Sequence, residues 1–398
     1  MNTRRTIRKQ EILNMRRQMI EWLVRQQITN SRSPHYGCIY YADEDRYCNR
    51  DTGCAASIFM YESHLTGKQF WKGRALIAKE HVLKSQGKNG GYPEMRHRKK
   101  SDNGSTVNTA IIADSLVSAC ELGIPYDEKD LTALERMAEF QMTLEWKPGA
   151  FYHDTNHIHS YQYRERGKVK WGWGPEGSHL DCQNTTALAA MMLIRISDFL
   201  EKHQHSINPE WEQASVRAVK HLLSGQDRNG HWPYFKNGKG FDVGHHSLCM
   251  FCLAKIIEHP RFSDNKKILH TLVRAGLWTV NEGLLQTKRG TKINWAINHS
   301  ACSYFTAEYF LVAASLMRVA ALKTRESRIF QREALELLRY VRTDLWENSE
   351  AEKQGPFRLT EGYLCAGYAW FGQSMAWVLY FFNDLLGKIG WLKDYRNN

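Results

Sequence analysis

Between Leu144 and Asp181 the chain concentrates four histidines, three tyrosines and three tryptophans among arginines and carboxylates: LEWKPGAFYHDTNHIHSYQYRERGKVKWGWGPEGSHLD. A loop longer than about 12–15 residues usually serves a function or is disordered, and this one is too aromatic for disorder. Trp171 and Trp173 offer flat faces for sugar rings, while Arg164 and Arg166 offer planar forks to a carboxylate or sulfate. Asp154 and Asp181, with Asp102 upstream, are candidates for protonating a substrate and activating water, work that requires carboxyls tuned by their surroundings. TNHIHSYQY and NWAINHSACSY set amide, imidazole and phenol together: His157 with Tyr161, and Asn298 with His299 and Tyr304. There an amide can neutralise a carboxylate while His or Tyr moves a proton. FDVGHHSLCMFC adds Asp242, His245 and His246. Adjacent helical residues point about 100° apart, so one of these histidines is expected to reach a cavity while the other packs outward. Trp232, in QDRNGHWPYF, is a third candidate sugar platform, and Glu361 is a further acidic group before the last apolar helix.

These residue types also have plain structural uses. Asp and Asn are favoured helix N-caps, worth about 1 kcal/mol each, and a carboxylate there suits the helix dipole. Asp51, Asp102, Asp181, Asp242, Asn298 and Glu361 all precede apolar helices and can serve as caps. QGKNGGYPEM and QDRNGHWPYF share the pattern Q-x-x-x-G-x-aromatic. Asn-Gly and Gly-Gly make tight turns, and the Gln can tie a helix end to the next repeat.

The elements that must position these groups follow from apolar periodicity. It predicts helices over 8–27, 52–65, 68–85, 105–121, 128–142, 183–202, 210–225, 245–258, 265–281, 300–322, 327–345 and 362–386. Short connections alternate with long ones rich in Gly, aromatic, His and Asp residues. Gln27, Gln86, Gln141, Gln226 and Gln286 recur near the ends of odd-numbered helices, mostly about 60 residues apart. The even-numbered helices are apolar nearly all round, as in IFMYESHL, TALAAMMLI and YFTAEYFLVAASLM, which suits an enclosed ring. The expected fold is therefore all-α: an (α/α)6 toroid of six hairpins over residues 1–398 as a single domain. An irregular stack of helical repeats is the runner-up. In the toroid every long loop lies at the N-terminal ends of the inner helices.

Composition narrows the function classes. The 398 residues carry a formal charge of +12, of which +5 falls in the first 28 positions, and no recognition-helix or RNA-binding signature accompanies it, so a nucleic-acid partner is not expected. No apolar run approaches the roughly 20 residues of a membrane span. Arg16 and Arg17 interrupt the place where a secretory signal would have its apolar core. Nine scattered cysteines, an odd number, point to reduced thiols in a cytoplasmic setting.

The six-hairpin layout resembles the toroid superfamily of six-hairpin glycosidases, (α/α)-barrel polysaccharide lyases, terpenoid cyclases and protein prenyltransferases. The Q-x-x-x-G-x-aromatic pattern resembles the QW repeat of the cyclases, but DxDD and DDxxD are absent. Asp181-Cys182 with Asp242 and His245 is similar to the zinc ligands of prenyltransferase β-subunits, with Asp and Cys adjacent here instead of one residue apart. RDTGCAASIFMYESHLTGKQF, GAFYHD and HWPYF followed by DVGHHSL resemble, in order, segments of unsaturated glucuronyl and rhamnogalacturonyl hydrolases. That resemblance implies an enzyme that trims acidic, uronic-acid-containing oligosaccharides without a bound cofactor or metal. Asp102, Asp154 or Asp181 would then be acid and base. Trp171, Trp173 and Trp232 would stack on sugars, and Arg164, Arg166, His245 and His246 would hold acidic groups. Resemblance to the lyases implies β-elimination instead, with His157 or His299 as base and Tyr161 or Tyr304 as acid. A non-catalytic glycan-binding surface is the third expectation.

Overall fold

A computed structural model describes residues 8–41, 46–93, 104–153, 155, 161–165, 168–172, 182–233, 242–297, 306–346 and 375–392. Among these residues twelve α-helices form. They are α1 (Lys9–Gln26), α2 (Asn49–Thr66), α3 (Gln69–Lys84), α4 (Thr106–Glu121), α5 (Glu128–Met142) and α6 (Gln183–Lys202), then α7 (Pro209–Gly225), α8 (Val243–Ile256), α9 (Lys266–Trp278), α10 (Thr306–Ala321), α11 (Ser327–Tyr340) and α12 (Met375–Ile389). The even-numbered helices pack in the order α2, α4, α6, α8, α10, α12 and back onto α2, closing an inner ring; odd-numbered helices cover it from outside. The architecture is the (α/α)6 toroid. No described helix is long and apolar enough to cross a membrane, and the seven described cysteines are buried thiols.

Burial explains why the even helices are apolar all round. Each is enclosed by two ring neighbours and an outer helix, so α6 and α8 bury nearly every residue. The outer helices bury one stripe: in α11 Phe330, Ala334, Leu337 and Leu338 face inward while Arg328, Gln331 and Arg332 are exposed. Short turns between inner and outer helices use ordinary caps, such as the reciprocal Asp127–Asp130 capping box of α5 and the Asn208-Pro209 start of α7.

The long connections hold structure that periodicity missed. Five two-stranded antiparallel hairpins occur among the described residues: β1 (Ile39–Tyr41) with β2 (Arg46–Cys48), β3 (Tyr92–Pro93) with β4 (Gly104–Ser105), β5 (Glu145–Lys147) with β6 (Ala150–Phe151), β7 (Tyr161–Glu165) with β8 (Lys168–Gly172), and β9 (Leu284–Thr287) with β10 (Gly290–Ile293). Four inner helices receive their preceding segment through one repeated contact. The fourth residue after the N-cap accepts a backbone N–H from that segment: Thr52 from Ile39 (3.0 Å), Thr109 from Tyr92 (3.0 Å), Thr186 from Phe151 (3.3 Å) and His246 from Trp232 (3.2 Å).

The recurrent glutamines are ties between outer helices. Gln86 Nε2 donates to the carbonyls of Gly90 (2.9 Å) and Ala133 (2.9 Å), and Gln226 Nε2 to those of Gly230 (2.8 Å) and Thr271 (3.0 Å). Gln27 makes the same pair of bonds to Gly37 and Arg74. Gln141 departs from the set and donates to Thr106 Oγ1 at 3.2 Å. The glycine of the motif is dictated by sterics. Gly230 has φ +98°, and a Cβ there would lie 2.5 Å from the carbonyl oxygen of Arg274 on the next outer helix. Gly230→Ala should therefore cost about 2 kcal/mol or more, from the left-handed backbone and the clash together. A denaturant midpoint equal to that of the parent protein would contradict this account of the motif.

Candidate functional site at the N-terminal mouth of the ring

The first turns of the inner helices place polar groups around one end of the ring: Arg50 and Asp51 on α2, Asn108 on α4, Thr185 on α6, Asp242 and His245 at α8, and Glu308 on α10, with Trp377 on α12. Several are buried and bonded within the fold. Asn108 Nδ2 donates to the Pro93 carbonyl at 2.7 Å, and the Cys182 thiol donates to Asn184 Oδ1 at 2.7 Å. Among the described residues no cluster of His, Cys, Asp and Glu could hold a metal ion.

Asp242 is fully buried and caps α8, one carboxylate oxygen accepting the His245 backbone N–H at 2.9 Å. Its other oxygen lies 2.8 Å from Nδ1 of the His245 ring, whose side chain is 23% exposed. The ring and the carboxylate stand in ion-pair contact, and an imidazole so placed is a group that can move a proton. Glu308 stands in the first turn of the next ring helix, 8% exposed, with Oε2 buried and unbonded. Its carboxyl fills the space over Gly244, where any Cβ would come within 2.5 Å of it. Burial, reinforced by the charge of Asp242, pushes the Glu308 carboxyl well above the usual carboxylate range.

Arg50 is 4% exposed, with its guanidinium carbon 4.7 Å from the centre of the Trp377 ring and Nε 3.3 Å from Asp51 Oδ1. Its Nη2 is buried without a hydrogen-bond partner. Burial alone would lower its pKa, but the Asp51 charge beside it raises it, so the guanidinium stays ionised.

Two sequence expectations need correction. Trp232 is not an open sugar platform: the ring is 1% exposed and its indole N–H donates to the Leu222 carbonyl at 2.8 Å, as the Tyr92 hydroxyl does to Val82 in the sister motif. His246 cannot clamp an acidic group. It is fully buried against Trp278 and His231, accepts the Trp232 N–H on Nδ1, and turns Nε2 to the Ala275 carbonyl and Thr279. Burial holds it neutral, well below the ordinary histidine range. Asp242 is present at the mouth, but as the cap and partner of His245 and not as an exposed ligand.

Tyr161, Arg164 and Trp171 lie on the β7–β8 hairpin, where Tyr161 pairs with Gly172, Arg164 with Val169, and Gln162 with Trp171. Asp102, Asp154, His157, Arg166, Trp173, Asp181, Asn298, His299, Tyr304 and Glu361 lie outside the described residues. Glu308 and Arg50 escaped the sequence reading. Their signal was a charged residue inside an otherwise apolar inner helix, and a cation at the helix end where the dipole disfavours one.

No protein-family model matches the chain, and no curated protein matches it in sequence. Solved structures do. The unsaturated glucuronyl hydrolase of Bacillus sp. GL1, responsible for degradation of glycosaminoglycan, superposes with a TM-score of 0.61 at 13% identity, over 95% of this chain and 96% of that one. Cellobiose 2-epimerase from Spirochaeta thermophila gives 0.62 at 12% identity over 98% and 100% of the two chains. A family 76 mannosidase from Bacteroides thetaiotaomicron gives 0.60 at 10% identity over 95% and 99%. The chain thus shares the (α/α)6 toroid fold of these proteins over essentially its whole length, a fold that carries hydrolases and epimerases alike.

Proposed function

We propose that the protein is a carbohydrate-active enzyme whose ring mouth processes uronic-acid-containing oligosaccharides, in first place by hydrolysis of unsaturated uronyl residues. The observation that carries this reading is the pairing, on adjacent ring helices, of the buried Glu308 carboxyl with the Asp242–His245 couple. Hydrolysis needs a group that gives a proton and a group that activates water. Asp102, Asp154 and Asp181 remain the proposed acid and base on sequence grounds. Glu308 and His245 are the same kinds of group on the described frame. Trp171 and Trp173, with Arg164 and Arg166, are the proposed sugar-stacking and anion-holding side chains. Fold likeness to unsaturated glucuronyl hydrolases supports the substrate class.

A second reading is favoured by His245 itself. An imidazole backed by a buried carboxylate can remove the proton next to the carbonyl of an open-chain sugar, the step that 2-epimerisation and aldose–ketose isomerisation share. Cellobiose 2-epimerases and a D-mannose isomerase stand among the structural neighbours.

Ultraviolet absorbance of the C4–C5 double bond tests the first reading. On lyase-digested glycosaminoglycan, pectin or alginate fragments the absorbance should fall. A rise on intact polymer would mean elimination and transfer the chemistry to His157 or His299 with Tyr161 or Tyr304. No change on either, with solvent deuterium entering C2 of neutral aldoses or disaccharides by proton NMR, would establish the second reading instead.

A further inference from the structure

We propose that Arg50 is an anion-recognising group of this mouth, in addition to Arg164 and Arg166, and takes the carboxylate of a hexuronate on its unfilled Nη2. The inference rests on the acidic-sugar reading above and names a residue that would select for it.

The placement of Arg50 is costly unless something completes it. It is the second residue of α2, where the helix dipole disfavours a cation. It is buried, yet its ion pair with Asp51 runs through Nε and leaves Nη2 with no acceptor. Burying a charged donor unsatisfied is among the more expensive local arrangements in a fold. A seam between α2 and α12 that needed only volume would be filled better by Leu or Met. The contrast with the other end of the ring is informative. There Lys255 and Arg195 both reach Asp114, and Arg318 reaches Asp384 and Glu258, so those cations are matched by carboxylates.

At the mouth Arg50 and Asp51 sum to zero charge. An incoming carboxylate would bring the local charge to −1 at a helix N-terminus, the sign that end favours. Trp377 beneath the guanidinium holds its plane in place. A planar fork with a free edge matches a planar carboxylate through parallel N–H···O bonds. A neutral hexose offers no such partner.

Calorimetric titration of the full-length protein tests this with glucuronate, galacturonate, glucose and inorganic sulfate, in wild type, Arg50→Gln and Arg50→Lys. Uronate should bind wild type and glucose should not. Arg50→Gln should weaken uronate about 10- to 100-fold, one or two charge-assisted hydrogen bonds being lost. Arg50→Lys keeps the charge for folding and should weaken it by less. Three results would overturn the inference: uronate binding Arg50→Gln or Arg50→Lys as tightly as wild type, glucose binding as well as uronate, or sulfate binding where uronate does not. Loss of uronate binding in Arg50→Gln, with wild type inert on unsaturated fragments, would keep the inference and remove the hydrolase reading. Unsaturated fragments turned over by Arg50→Gln with unchanged KM would do the reverse.

Discussion

Asp114→Ala should lose about 3–5 kcal/mol of stability, the usual cost of removing one partner from a buried charge cluster. Asp114 sits midway along α4, fully buried, and gathers three other chain segments. Both of its oxygens lie 2.6 Å from Lys255 Nζ on α8, Arg195 Nε on α6 approaches to 3.1 Å, and the Tyr380 hydroxyl on α12 donates to it. Without the carboxylate, two cations are left facing each other inside the ring. Burial alone would raise the Asp114 carboxyl, but Lys255 and Arg195 outweigh it and hold the group well below the usual carboxylate range. Its folded pKa is depressed, so its contribution is complete above the unfolded value of about 3.9 and fades as pH falls below that. The stability gap between wild type and Asp114→Asn should accordingly be full at pH 7 and shrink by about 1.4 kcal/mol per pH unit in acid below that value. Denaturant titrations at pH 7 and pH 3 decide it, and an equal gap at both would refute the electrostatic account.

That cluster shows where reading a sequence reaches its limit. Asp114 stands in TVNTAIIADSLVSACE, whose period announces an apolar inner helix, and α4 indeed forms over Thr106–Glu121. Its partners lie 81, 141 and 266 residues away, distances over which no local pattern carries information. Helix α6 was legible to the residue, 183–202 in both readings, because enclosure by the ring writes apolar residues on every face. The Q-x-x-x-G motif was legible as a tie because Gln and Gly each have a narrow set of structural uses. The short hairpins were not: two or three residues cannot show a period of two, and contacts with the helix starts and outer helices fix them instead. At the mouth, Asp242 was legible as a cap from its position before α8. Which of His245 and His246 faces outward was not. It depends on His246 filling the place that Thr52, Thr109 and Thr186 fill in the sister repeats.

Glu308→Gln is the change that separates function from stability at the mouth. Residues kept for the fold generally weaken it when altered, whereas a buried acid without a partner is a burden on the fold. The folded pKa of Glu308 is raised, by burial first and by Asp242 second. The sign follows directly: below the unfolded value of about 4.3 both states hold the proton and there is no penalty. Above it the unfolded chain releases a proton that the folded chain must keep, and stability falls by about 1.4 kcal/mol per pH unit until the folded group also ionises. Glu308→Gln cannot ionise, so it should gain on wild type as pH rises above that unfolded value. The same substitution removes the only proton that this position can give. If Glu308 serves as an acid toward substrate, turnover should drop by about 10²- to 10⁴-fold, with the alkaline limb of the pH–rate profile lost in the residual activity. Thermal melts at pH 5 and pH 8 and a pH–rate series on one substrate measure both effects. A variant less stable than wild type at pH 8, with turnover intact, would make Glu308 a packing residue and leave His245 as the described group able to move a proton at the mouth.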